Sequence, residues 1–173
     1  MSDFMIRCSQ CGEEHDIFSI EPRYGRPDAY LQIPADERDF RTRCGDDWCR
    51  LRDRSGTLEQ FFLRVRMPVE VLGEGRQLHW GVWAEVTQHV YQRILDLWDE
   101  TDQAAEPPLP GRLANALPNY PSTLGLEGSI HLSGPTTAPS FRLAGDLDHP
   151  FAREQRSGVY PERALEWVSR FLH

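Results

Sequence analysis

Apolar residues are densest between Leu58 and Val86. Leu58 to Val71 is rich in Phe, Leu and Val and predicts a long strand, with Pro68 marking an edge or a bulge because proline brings no N–H to a ladder. Gln77 to Val86, which holds His79-Trp80-Gly81-Val82-Trp83, predicts its pairing partner. The period then changes. From Thr87, a suitable N-cap, to Trp98, the residues Val90, Ile94, Leu97 and Trp98 fall on one helical face. A second helix opens at Pro161, a first-turn proline, and its face is Ala164, Leu165, Val168, Phe171 and Leu172. Shorter strands are expected at Phe4 to Cys8, His15 to Ile20, Trp48 to Asp53, Leu124 to Leu132 and Ser140 to Leu143. Ala35 to Arg41 reads as one or two polar helical turns, whereas the Pro- and Gly-rich stretches Pro22 to Pro34 and Glu106 to Pro121 read as loops. This order predicts an α+β fold, a mostly antiparallel sheet with two main helices on one side, as a single domain over residues 1–173.

Composition narrows the function. The 5 Trp, 8 Phe and 5 Tyr carry much of the apolar area and favour a packed core over a disordered tail. A net charge of −8 argues against a phosphate-backbone partner. The arginines between Arg38 and Arg66 are interleaved with acids such as Glu37, Asp39, Asp47, Asp53 and Glu59, the pattern of a solvated ion-paired face. Every basic residue is arginine, so P-loop, Schiff-base and lysine-base chemistries have no residue to run on. Residues Met1 to Cys8 have no charged leader followed by an apolar stretch, and no apolar run approaches a bilayer span. A cytoplasmic chain with reduced thiols is expected, with neither nucleic acid nor membrane as partner.

The cysteines carry the most specific chemistry. They fall as Cys8-x-x-Cys11-Gly12 and Cys44-x-x-x-x-Cys49. A two-residue spacer lets one turn present two thiolates to one zinc ion, and a second pair from a distant loop would close a tetrahedral structural site of Cys8, Cys11, Cys44 and Cys49. The N-terminal stretch is then a zinc-ribbon-like turn. His15 competes with Cys44 for the fourth position. A redox Cys-x-x-Cys, or plain buried thiols, is the alternative. The redox form expects a helix after the motif, whereas Gly12 and the strand-like residues beyond it predict a ribbon turn.

Other polar positions carry less. His149-Pro150-Phe151-Ala152, followed by Gln155 and Gly158, offers an imidazole and an amide for a ligand, or a capping histidine. In Trp80-Gly81-Val82-Trp83 the indoles point to opposite faces of a strand, both into core or one toward a partner. Asp46-Asp47 and Asp146/Asp148 lack a paired histidine that would make them an acid/base set. No serine sits in a nucleophile elbow.

Taken in order, Cys8-x-x-Cys11-Gly12-x-x-His15, Glu37-Arg38, Asp47-x-Cys49, Trp80-Gly81-Val82-Trp83, Leu117-Pro118-x-Tyr120, His149-Pro150, Gln155-x-x-Gly158 and Leu172-His173 resemble the bacterial family called domain of unknown function 2199. The resemblance implies a bacterial one-domain protein and brings no established activity. Cys8, Cys11, His15 and Cys49 match its pattern, whereas Cys44 matches no position of it. Asp16-Ile17-Phe18-Ser19 stands where the family commonly has a proline after the histidine.

The expectation is therefore a zinc-stabilised, non-catalytic binding protein. Its partner would be a protein, a basic one given the charge, and an immunity protein against a basic toxin is one concrete form. The rival is a small metal-dependent enzyme in which Cys8, Cys11 and Cys49 leave a coordination position for water, with Glu14 or His15 as base.

Overall fold

A computed structural model describes residues 4–9 and 11–171. Its frame is the hairpin of β5 (Glu59–Val71) and β6 (Arg76–Val86), paired along its whole length from Phe61↔Val86 to Val71↔Arg76. Gly73 and Gly75, at φ +84° and +61°, make the turn that joins them. Pro68 interrupts nothing. The Arg66 and Leu72 N–H groups point away from β6, to Pro139 and Val159, and the missing N–H of Pro68 shares their outward parity.

The sheet runs β3 (Thr42–Cys44), β4 (Trp48–Arg52), β5, β6, β7 (Leu109–Leu113), β8 (Glu127–His131) and β9 (Ser140–Leu143), and every neighbouring pair is antiparallel. It curls until β9 touches β5 in parallel at Arg66↔Ser140. That curl needs Gly128, because a Cβ there would lie 2.4 Å from the Arg142 carbonyl and 2.6 Å from the Phe141 ring. A separate two-stranded sheet joins β1 (Met5–Arg7) to β2 (Glu14–Asp16).

Among the described residues five helices complete the α+β fold: α1 (Asp28–Leu31), α2 (Arg38–Arg41), α3 (Gln88–Leu97), α4 (Pro150–Ser157) and α5 (Pro161–Phe171). Thr87 caps α3 by accepting the Val90 N–H, as its sequence position predicts. In α5 the predicted face turns inward at Ala164 and Val168, joined by Trp167, while Leu172 lies outside the described residues. None of the helices among the described residues is long and apolar enough to cross a membrane.

Four segments differ from the sequence expectation. His15 to Ile20 is strand only to Asp16, and a 3₁₀ turn, Ile17–Ser19, then drives Ile17 fully into the core. The Pro22 to Pro34 loop holds the turn of α1, and Glu106 to Pro121 holds β7 despite Pro110 and Gly111. The stretch after His149 is not a bare turn but α4.

Both tryptophans of the β6 motif are core. Trp80, 1% exposed, meets Phe151, Trp167 and Phe171 edge-to-face, with ring centroids 5.2–6.2 Å apart. Trp83 is on the other face in a smaller cluster with Ile33, Cys49, Leu51 and Phe62. Its indole N–H donates to the Tyr24 carbonyl and its backbone N–H to Asn115 Oδ1. Asn115 is fully buried and donates in turn to the Arg26 carbonyl and the Asp28 carboxylate, which ties the proline-rich segment onto β6.

Candidate metal centre

The β1–β2 pair has three residues per strand, in the register Met5↔Asp16, Ile6↔His15 and Arg7↔Glu14. A two-stranded ribbon this short is marginal alone. At its base it is anchored to the main core: the Ile17 N–H donates to the Phe4 carbonyl, Phe4 and Phe18 pack edge-to-face, and Asp16 pairs with Arg76 at 2.8 Å. Arg76 also lies over the Phe18 ring, 3.8 Å from its centroid. That guanidinium, with the Phe18 N–H, holds the Asp16 carboxyl below its ordinary range.

The tip of the ribbon is a knuckle. The Cys8 N–H donates to the Glu13 carbonyl and the Gly12 N–H to the Cys8 carbonyl, at 2.8 and 2.9 Å. Gly12 takes φ +75°, where a side chain would be strained. This turn presents Cys8 and Cys11 on one side, and the register of β2 brings His15 to the same point. The two sulfurs and an imidazole nitrogen all lie within 4.8 Å of one another, and Cys11 Sγ is 3.1 Å from His15 Nε2. Two zinc–sulfur bonds of about 2.3 Å at a tetrahedral angle set their sulfurs about 3.8 Å apart, so side-chain rotation alone could close the trio on an ion. Two thiolates and an imidazole form a soft donor set that suits zinc. Cys8 is buried, His15 half-buried and Cys11 exposed, which leaves one side of the trio open to solvent.

Cys44 and Cys49 do not join them. β3 and β4 place these residues directly opposite each other, and their sulfurs are bonded to one another. The expected four-thiolate site and the expectation of wholly reduced thiols are both corrected here. The reason is register. Cys49 pairs with Phe62, which pairs with Glu85, whereas the ribbon is tied to Arg76 at the other end of β6, roughly 30 Å away along the strand. His15, the expected competitor of Cys44, is the residue that meets Cys8 and Cys11. The spacing carried this signal, because Gly45 to Trp48 is the length of a hairpin turn.

The other polar positions resolve as structure. His149 caps α4: its Nδ1 accepts the Phe151 N–H at 3.1 Å and its Nε2 faces the Pro121 carbonyl at 3.2 Å. Gln155 completes the ladder edge of β9, accepting from Leu143 and donating to Phe141. Gly158, at φ +78°, passes so close to Leu72 and the Glu70 carbonyl that a Cβ would lie within 3.0 Å of both. Asp148 pairs with Arg153, and Asp146 is exposed in a turn. One cluster escaped sequence reasoning. The Tyr120 hydroxyl contacts Glu154 and accepts from Arg163, which bridges on to Glu166. Burial and the Glu154 carboxylate push the Tyr120 hydroxyl well above the usual phenol range, so it stays protonated and cross-links α4 to α5.

No curated protein and no solved structure shows a match to the chain. The sequence model of one family does match, over residues 7–159, a span that includes the knuckle, both core tryptophans and the whole of α4. The chain belongs to that family, described as an uncharacterized protein conserved in bacteria, domain of unknown function 2199.

Proposed function

We propose that the protein is a non-catalytic interaction protein whose N-terminal ribbon is organised by one zinc ion held by Cys8, Cys11 and His15. The observation that carries this reading is the convergence of those three donors at the tip of a ribbon too short to be stable alone. The fourth position would be filled by water or by a group from a partner. Support for a non-catalytic role comes from the surroundings. The larger recesses of the described surface, beside α3 and along β7 and β8, are lined by residues other than Cys8, Cys11 and His15. The count of three ligands favours the rival reading, an open zinc site that activates water, with Glu14 as the adjacent carboxylate.

Metal content decides the first step. Protein purified without added metal is expected to carry about one zinc per chain, lost in Cys8→Ser and His15→Ala and retained in Cys44→Ser. Retention of full zinc in Cys8→Ser, or its loss in Cys44→Ser, would sink the assignment.

A further inference from the structure

We propose that a small cavity between β6 and α5 binds one halide-sized anion, held by the indole N–H groups of Trp80 and Trp167. The site goes beyond the zinc reading and does not depend on it. Trp80 is 1% exposed and Trp167 4% exposed, and both line the cavity. Their ring centroids are 5.5 Å apart. Both Nε1 atoms are buried, and neither has a hydrogen-bond acceptor among the described residues. Trp83 shows the usual alternative, because its indole N–H finds the Tyr24 carbonyl. An indole can only donate, and a buried donor without an acceptor is costly. Two of them on one cavity call for an acceptor that serves both.

The rest of the wall adds donors faster than acceptors. Arg163, Glu166 and Arg170 line it, with the amide of Asn119. Arg163 is spent, since its three nitrogens go to Glu154, Glu166 and the Tyr120 hydroxyl. Glu166 is spent too: Arg163 donates to its Oε2 and Arg170 to its Oε1. Arg170 is held through one Nη alone, and the remainder of its guanidinium has no acceptor among the described residues. The unused capacity at this cavity is therefore two indole N–H groups and part of one guanidinium.

Size narrows the ligand further. The cavity offers about 10 Å³, room for one small group, which excludes phosphate, sulfate and a peptide side chain. A water and a monatomic anion remain. A water that accepted from both indoles would still have to place its own two protons, against a wall whose carboxylate already faces two guanidiniums. A halide only accepts, and the neighbouring charge of Arg170 favours it over a neutral molecule. Chloride is the abundant ion of this kind. Bound there, it ties β6 to α5, where Trp80 packs on Trp167 and Phe171.

The test uses full-length protein in gluconate buffer, titrated with sodium chloride at constant ionic strength and followed through its indole N–H resonances. Those of Trp80 and Trp167 are expected to shift saturably while those of Trp48, Trp83 and Trp98 stay fixed. The melting temperature should rise by about 3–6 °C at tenfold the Kd. A crystal soaked in bromide should show an anomalous peak within hydrogen-bond reach of both Nε1 atoms. Trp167→Phe keeps an aromatic ring but removes one donor, and should lose about tenfold or more in chloride affinity. Arg170→Gln, at an exposed position that leaves the core intact, should lose about threefold. Unmoved Trp80 and Trp167 resonances, or a bromide soak that leaves the cavity without anomalous signal, would overturn the site in favour of water or an N–H contact to a ring. Wild-type affinity in both variants would overturn it as well.

Discussion

The protein has two hairpins that each carry two cysteines, and they are held together in different ways. In β3–β4 the cysteines face each other across the ladder, Cys49 is fully buried, and the strand beneath belongs to the main sheet. In β1–β2 both thiols sit at the tip, on the turn side of the strands, and the ribbon meets the core through Phe4, Ile6, Ile17 and Phe18. A cross-strand pair leaves two sulfurs to satisfy each other. Two sulfurs on one turn, with a histidine returning opposite, leave a set of lone pairs pointed at one place. The same residue type therefore serves closure in one hairpin and contributes to a group that could hold an ion in the other, and strand register decides which.

The largest expected effect tests the core support of the second hairpin. Trp83 fills the space behind Cys49 and Leu51, and Trp83→Ala should cost about 3–5 kcal/mol in denaturant unfolding. Zinc content should not change. A loss under 1 kcal/mol would mean that β4 is not resting on this cluster.

Next in size is withdrawal of the ion. With free zinc about 100-fold above its Kd, chelation should remove about 2.7 kcal/mol, or roughly 5–10 °C of melting temperature for a chain of this size. Hydrogen exchange should accelerate at β1, β2 and the knuckle and not at β3 or β4. Opening the Cys44–Cys49 bond with a phosphine reductant should do the reverse at a cost of about 2 kcal/mol, the entropy of a loop closed over a separation of five residues. A chelator that loosened both hairpins alike would dissolve the distinction between them.

Much of this frame could be read before any coordinates. The Leu58–Val86 apolar block, the Thr87 cap and the i, i+4 spacing of Val90 and Ile94 are local signals, and the fold agrees with them. Three kinds of feature could not be read that way. β7 carries Pro110 and Gly111, which argue against a strand, and it forms through its pairings with β6 and β8, which are tertiary. α4 buries only Phe151, Ala152 and Gln155 in eight residues, too few for a period to stand out. The metal trio was half legible: Cys8 and Cys11 came from spacing, but choosing His15 over Cys44 depends on the register Ile6↔His15, a tertiary fact.

The smallest effect concerns how β4 is pinned to β5 by charge. Glu59 accepts from Arg52 at 2.8 Å and from Arg50 at 3.0 Å, and these guanidiniums, Arg52 first, hold its carboxyl below the ordinary glutamate range. A carboxyl with a lowered folded value contributes stability that is complete above its unfolded value, about 4.3, and is lost as pH falls through the folded one. The contribution is modest because the arginines are substantially open to water and salt screens them. The stability gap between wild type and Glu59→Gln should therefore be constant from neutral pH down to about 5, shrink under stronger acid, and narrow in high salt. A gap that survived full protonation would mean that Glu59 acts through packing or neutral hydrogen bonds, and the edge of the second hairpin would then owe nothing to its ion pairs.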